Sequence, residues 1–103
     1  MQQLIKENMR EVKALCQKHH VRELHVFGNA VQEDFSEKSD VDFLIEFKHL
    51  VDVAHTVQNM DALSLALKDL LQRDVDLIQN RLLTNKYLKH FINQEKTLLY
   101  AEA

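Results

Sequence analysis

The chain has 103 residues, 46% hydrophobic and 28% charged, with 13 Lys and Arg against 16 Asp and Glu and a net charge of -3. That length sets one domain, residues 1–103, with a modest core, and the charge balance leaves no concentrated positive face of the kind that coats nucleic acid. One Cys excludes a disulfide framework and a Cys-based zinc finger, no apolar run is long enough to span a membrane, and the charged start MQQLIKENMREVK has no signal-peptide core, so a soluble, cytoplasmic protein is expected.

Zero Pro and one Gly are the unusual counts, where average usage gives roughly five and seven. Almost every turn must therefore be built without a residue that tolerates positive φ, and Gly28 stands out.

Residues 1–20 read as a helix, because Ile5, Met9, Val12, Leu15 and Cys16 form one apolar stripe at helical spacing. Residues 23–28, Glu-Leu-His-Val-Phe-Gly, alternate and read as a strand ending at Gly28. Residues 29–39 are polar and read as a loop. Residues 40–47 form the clearest strand, with Val41, Phe43, Ile45 and Phe47 on one face and Asp40, Asp42, Leu44 and Glu46 on the other. Residues 50–72 carry a helical stripe of Val53, Val57, Met60, Leu63, Leu67 and Leu70; a break near Asn59 with Asp61 as a cap would start that helix later. Residues 74–78 form a third strand, residues 84–94 a helix capped by Thr84 with Leu88, Phe91 and Ile92 on one face, and residues 96–100 an apolar segment that packs. The alternation gives an α/β (α+β) domain, a small mixed sheet of three to four strands covered by helices.

Asp40-Val41-Asp42 opens the second strand, and Asp74-Val75-Asp76 the third. Carboxylates at i and i+2 of a strand project from one face, close enough to share a divalent cation. Bare, they repel and raise a pKa. A third carboxylate from the next strand, Asp74 or Asp76, completes an oxygen-rich set suited to Mg²⁺ or Mn²⁺. In so acidic a chain an Asp-x-Asp pair alone also arises by chance, as a solvated strand mouth. Gly28, Asp40, Asp42 and a third strand Asp in this order form a far more specific pattern.

Phe27-Gly28-Asn29, Ser39-Asp40-Val41-Asp42-Phe43-Leu44-Ile45, Val75-Asp76-Leu77-Ile78, Glu95 and Leu99-Tyr100 resemble the minimal nucleotidyltransferases, the MNT group of the DNA polymerase beta-like superfamily. The resemblance runs from about Leu24 to Tyr100. It implies the nucleotidyltransferase fold and Mg²⁺-dependent transfer of a nucleoside monophosphate, AMP, from an NTP, ATP, to a hydroxyl. Asp40, Asp42 and Asp76 are then the catalytic metal ligands of a two-metal site, and Gly28 and Asn29 the nucleotide-binding turn. It further implies a Tyr of a HEPN-type helical toxin as acceptor, which makes the chain an antitoxin.

The chain departs from the family at the phosphate end. Gly-Ser is Gly28-Asn29, the basic positions are Ala30 and Gln32, and the second Gly is Glu33, followed by Asp34. Each misplaced negative charge costs on the order of 1 kcal/mol, or roughly tenfold in triphosphate affinity. The alternative is therefore a catalytically degenerate member that neutralises its helical partner by contact alone. A third reading is an orphan α/β domain with fortuitous Asp pairs.

The remaining chemistry-bearing residues read as structural. No pair of the six His has zincin spacing, and all six, including His19-His20, read as surface or edge residues. Cys16 falls on the core stripe, Tyr87 and Tyr100 read as packing residues, and Arg73 as structural. Amphipathic helices of this length also make a homo-oligomer an open expectation.

Overall fold

A computed structural model describes residues 3–28, 40–48 and 53–102. In chain order these form α1 (Gln3–Glu7), α2 (Met9–Lys18), β1 (Val21–Phe27), β2 (Val41–Phe47), α3 (Val53–Leu71), β3 (Val75–Gln79), a 3-10 turn (Asn80–Leu82), α4 (Lys86–Glu95) and β4 (Thr97–Ala101). The strands make one mixed sheet in the order β3-β2-β1-β4. β1 runs antiparallel to both β2 and β4, whereas β3 lies parallel to β2. A parallel neighbour needs a crossover connection, and α3 supplies it.

The alternation in β2 builds two cores. Val41, Phe43 and Ile45 join Val21, Leu24 and Val26 of β1, Leu77 of β3 and Leu99 of β4 on one face. Ile5, Val12 and Cys16 of α1 and α2, with Leu63, Leu67 and Leu71 of α3, cover that face. On the other face Phe27 and Leu44 pack against Ile92 of α4, with Ile78 and Leu83 at the margin. Asp42 is two residues from Leu44, so it shares the α4 face. Cys16 is fully buried, and burial pushes its thiol up to about 12.

Several sequence expectations need correction. The first helix is interrupted at Asn8, whose side-chain Nδ2 donates to the Leu4 carbonyl at 2.8 Å while its own N–H reaches back to Ile5. A short amide side chain competes there for the helix's own acceptors. α3 is unbroken from Val53 to Leu71, with Asp61 exposed inside it rather than capping it. Asn59 does not break that helix. Its Oδ1 accepts from His19 Nδ1 at 2.9 Å, and its Nδ2 donates to the His19 carbonyl. His19 is therefore a buried tether between α2 and α3, not a surface residue. The expected α3 stripe is buried at Leu63 and Leu67, but Val57 is half exposed.

α4 is capped by Asn85, whose Oδ1 accepts from the N–H groups of Tyr87 and Leu88 at 3.0 and 3.1 Å, and not by Thr84. Only Ile92 of α4 is fully inward; Leu88 and Phe91 are about half exposed, and Tyr87 is 89% exposed rather than a packing residue. Tyr100 does pack against the larger core. The segment after α4 is a strand that extends the sheet, which fixes the strand number at four.

The scarcity of Gly is met directly. His20 and Gln72 take φ of 61° and 56° just beyond α2 and α3, the position where helices usually place Gly. Left-handed backbone costs a non-Gly residue about 1–2 kcal/mol. The Gln72 N–H offsets part of it by donating to the Lys68 carbonyl at 2.8 Å.

The α4 cap gives a direct test. Replacing Asn85 by Ala removes an acceptor shared by two N–H groups and should destabilise the chain by about 1 kcal/mol. The same change at the exposed Thr84 should be close to neutral. Urea unfolding of the two variants measures both.

Candidate active site

The site lies where β1 ends and β2 and β3 begin. β1 delivers Gly28 beside Asp42, because Phe27 is the register partner of Asp42. Asp42 in turn is paired with Asp76 across the parallel β2–β3 ladder. Directly opposed residues of neighbouring strands project to the same face, so these two carboxylates are brought together by register alone. Asp40 is exposed one residue before β2. The Val41 N–H donates to the Asp74 carbonyl at 2.9 Å and pins the two strand mouths together.

Gly28 meets a double constraint. Its φ is +70°, and a Cβ built on it would fall 2.6 Å from Asp42 Oδ2. Either fact alone favours glycine; together they exclude any other residue without movement of the Asp42 carboxylate. The one Gly in the chain is thus the floor on which that carboxylate rests.

Strand alternation alone leaves Asp74 and Asp76 both available as the third carboxylate, and the family resemblance points to Asp76. The structure separates them. Asp74 Oδ1 is paired with Lys68 Nζ of α3 at 3.1 Å, and Asp76 faces Asp42. The signal that was missed is Lys68, one turn before the end of the crossover helix and close in sequence to Asp74.

Burial pushes Asp42 above its ordinary value of 3.8, and the neighbouring charges of Asp76 and then Asp40 push it further. A half-buried carboxylate facing two others is a site of concentrated negative potential, and a hard cation is the group that fits it. Among the described residues, no three His, Cys, Asp or Glu side chains are gathered into a metal cluster. Asn29, the other expected nucleotide-binding residue, lies outside the described residues, as do Ala30, Gln32, Glu33, Asp34 and Ser39.

His25 sits on the same sheet face, deeper than Asp42, among Glu23, Glu46 and Lys96. Its pKa is lowered, chiefly by burial and then by Lys96, against the opposing pull of Glu23 and Glu46. It does not join the strand mouth.

The raised Asp42 pKa fixes the sign of a pH effect. Ionising Asp42 costs the folded state. The cost is absent below the unfolded value near 3.8 and fully present above the folded one. Asp42→Asn should therefore raise the melting temperature at pH 7 in metal-free buffer, and the gain should vanish as pH falls below 3.8. Gly28→Ala should destabilise by about 1–3 kcal/mol, and less in the Asp42→Ala background, where the clash is gone. Thermal melts across pH check both.

The comparisons with known proteins converge on one family. The description "Polymerase beta, Nucleotidyltransferase" matches residues 10–103. Two proteins of Methanocaldococcus jannaschii are similar along most of their length. "Putative protein adenylyltransferase MJ0128" is 35% identical over 88 residues, 85% of this chain and 84% of the relative. "Putative protein adenylyltransferase MJ0126" is 33% identical over 97 residues, 93% of both. Among solved structures, one described as "Structure of putative minimal nucleotidyltransferase" superposes with a TM-score of 0.74 at 27% identity, covering 90% of each chain. A toxin–antitoxin structure with AMP-PNP superposes at 0.70 and 20% identity, covering 92% of this chain and 74% of that one. A tri-AMPylated HEPN toxin from Shewanella oneidensis in complex with MNT antitoxin gives 0.62 and 18%, covering 94% and 72%; these last two likenesses show the fold. With the family description spanning the chain from residue 10 onward and relatives above 30% identity along most of their length, the chain belongs to the polymerase beta nucleotidyltransferase family.

Proposed function

We propose that this chain transfers AMP from Mg·ATP to a hydroxyl, and that the acceptor is a Tyr of a HEPN-type helical toxin for which the chain is the antitoxin. The observation that carries the reading is Asp42 held over the side-chain-free Gly28, with Asp76 opposite it and Asp40 before it. The names of the relatives, protein adenylyltransferases, supply the nucleotide. The structural neighbours with AMP-PNP and with an AMPylated HEPN toxin supply the partner class. The single thiol, buried and protonated, suits the cytoplasm.

In this reading Asp40, Asp42 and Asp76 hold the divalent ions, Mg²⁺ first and Mn²⁺ as a substitute. When bound, the ions neutralise the triphosphate and the charge that develops on the entering and leaving oxygens. Gly28 exposes backbone at the end of β1, and with Asn29 it lets the β- and γ-phosphates approach main-chain N–H groups. Asp76, the more exposed of the opposed pair, accepts the proton of the attacking hydroxyl. The hydroxyl oxygen bonds to the α-phosphorus, the bond from that phosphorus to the β-bridging oxygen breaks, and pyrophosphate leaves. Residues 1–103 work as one domain.

A second reading has its own support in Glu33 and Asp34, which place negative charge where the triphosphate would lie. In it the fold neutralises the toxin by contact and transfers nothing.

Two measurements separate the readings. Calorimetric titration with Mg·ATP should show binding that the Asp40→Asn/Asp42→Asn variant loses. With ATP labelled at the α-phosphate and a HEPN-type protein as acceptor, label should move to protein, and Asp42→Asn should cut the rate by about a hundredfold or more. Asp42→Asn should retain its fold, so the loss cannot be blamed on unfolding. Transfer at the unaltered rate in that variant would sink the carboxylate assignment. A tight complex with no transfer from either protein assigns the second reading.

A further inference from the structure

The sheet has β3 at one edge and β4 at the other. One side of β4 pairs with β1, and among the described residues no strand pairs with its other side. Unpaired strand edges are usually blunted by charge, Pro or cover. β4 reads Thr-Leu-Leu-Tyr-Ala, with neither charge nor Pro. A groove of about 320 Å³ runs along it, lined by Leu98, Leu99, Tyr100 and Ala101, and the one charged lining residue, Lys13, belongs to α2 rather than to the strand. Leu98 is 54% exposed. The one blunting device is a bulge at Leu99, where the register against β1 shifts between Leu24 and His25.

We infer that this edge pairs antiparallel with β4 of a second copy of the chain. The charges at its two ends select that occupant and that direction. Lys96 precedes the strand and Glu102 follows it, and both side chains are at least partly exposed. Set antiparallel, two copies bring Lys96 of each chain to the end where Glu102 of the other lies. Set parallel, they bring like charges together. Glu102 already pairs with Lys48 at 3.2 Å and keeps 41% of its side chain exposed, so it is held in place with capacity left. Exposed ion pairs add little affinity and chiefly fix orientation. Main-chain hydrogen bonds and the cover given to Leu98 supply the attraction. The bulges at Leu99 meet at the two-fold axis, and short ladders run on either side, with Thr97–Leu98 near Tyr100–Ala101 of the other copy. The result is a continuous eight-stranded sheet. The carboxylates of β2 and β3 lie toward its far ends, so both sites stay open and the pairing is independent of any transfer reaction.

Sedimentation equilibrium of the full chain should give twice the chain mass at micromolar concentration. Leu98→Lys, an exposed change that leaves the core intact, should give the chain mass, with circular dichroism confirming the fold. Lys96→Glu and Glu102→Lys should each weaken the dimer about tenfold. The two together should bind more tightly than either alone, since the charges opposed across the interface are exchanged, while the loss of the Lys48 pair within each chain keeps the recovery partial. A chain that stays monomeric at its highest soluble concentration overturns the proposal and leaves the edge to a strand of another protein. So does a dimer indifferent to Leu98→Lys, or a double exchange that binds no more tightly than Glu102→Lys alone.

Discussion

Everything at the strand mouth depends on the closeness of Asp42 to Gly28. The carboxylate oxygen occupies the space that any side chain at residue 28 would need. The left-handed φ of Gly28 turns the chain out of β1 at that point, and the antiparallel register sets Phe27 against Asp42. The glycine therefore serves steric room and backbone conformation together. The cost appears in the electrostatics: a partly buried carboxylate faces two others, and its proton is held more tightly than usual. The fold tolerates that cost because the two hydrophobic clusters behind the mouth hold the strands in register whatever the charges prefer.

The legible part of this architecture lay in the strands. The alternation in residues 41–47 separated the two faces of β2, and both clusters follow it. The Asp-x-Asp spacing and the lone Gly pointed to a strand mouth, and the register puts them there. These readings held because a strand's side-chain pattern is local, fixed by its own period of two.

What was not legible depends on partners distant in sequence. Nothing near Asn59 says that it will clasp His19 of another helix, so an amide in mid-helix looked like a break and the histidine looked like surface. Thr84 and Asn85 are both capping residues by type, Asn the stronger, and the chain's path into α4 puts Asn85 at the cap. The helix ends at His20 and Gln72 were hidden because left-handed backbone is normally signalled by glycine, and this chain uses none there. Strand alternation does not separate Asp74 from Asp76, and the ion pair that occupies Asp74 depends on α3 carrying Lys68 to it.

The one parallel pairing in the sheet has a kinetic meaning. β1 and β2 are neighbours in the sheet and consecutive among the described strands, but β2 meets β3 only after α3 has crossed the sheet. Non-local pairings bear a loop-closure penalty before any contact rewards it, and they form late. Asp42 and Asp76 are thus kept apart until the crossover helix has docked through Leu63, Leu67 and Leu71. The repulsion between Asp42 and Asp76 therefore arises only once that helix has brought β3 to β2. A partly folded molecule then has α3 on the sheet before it has the carboxylate pair.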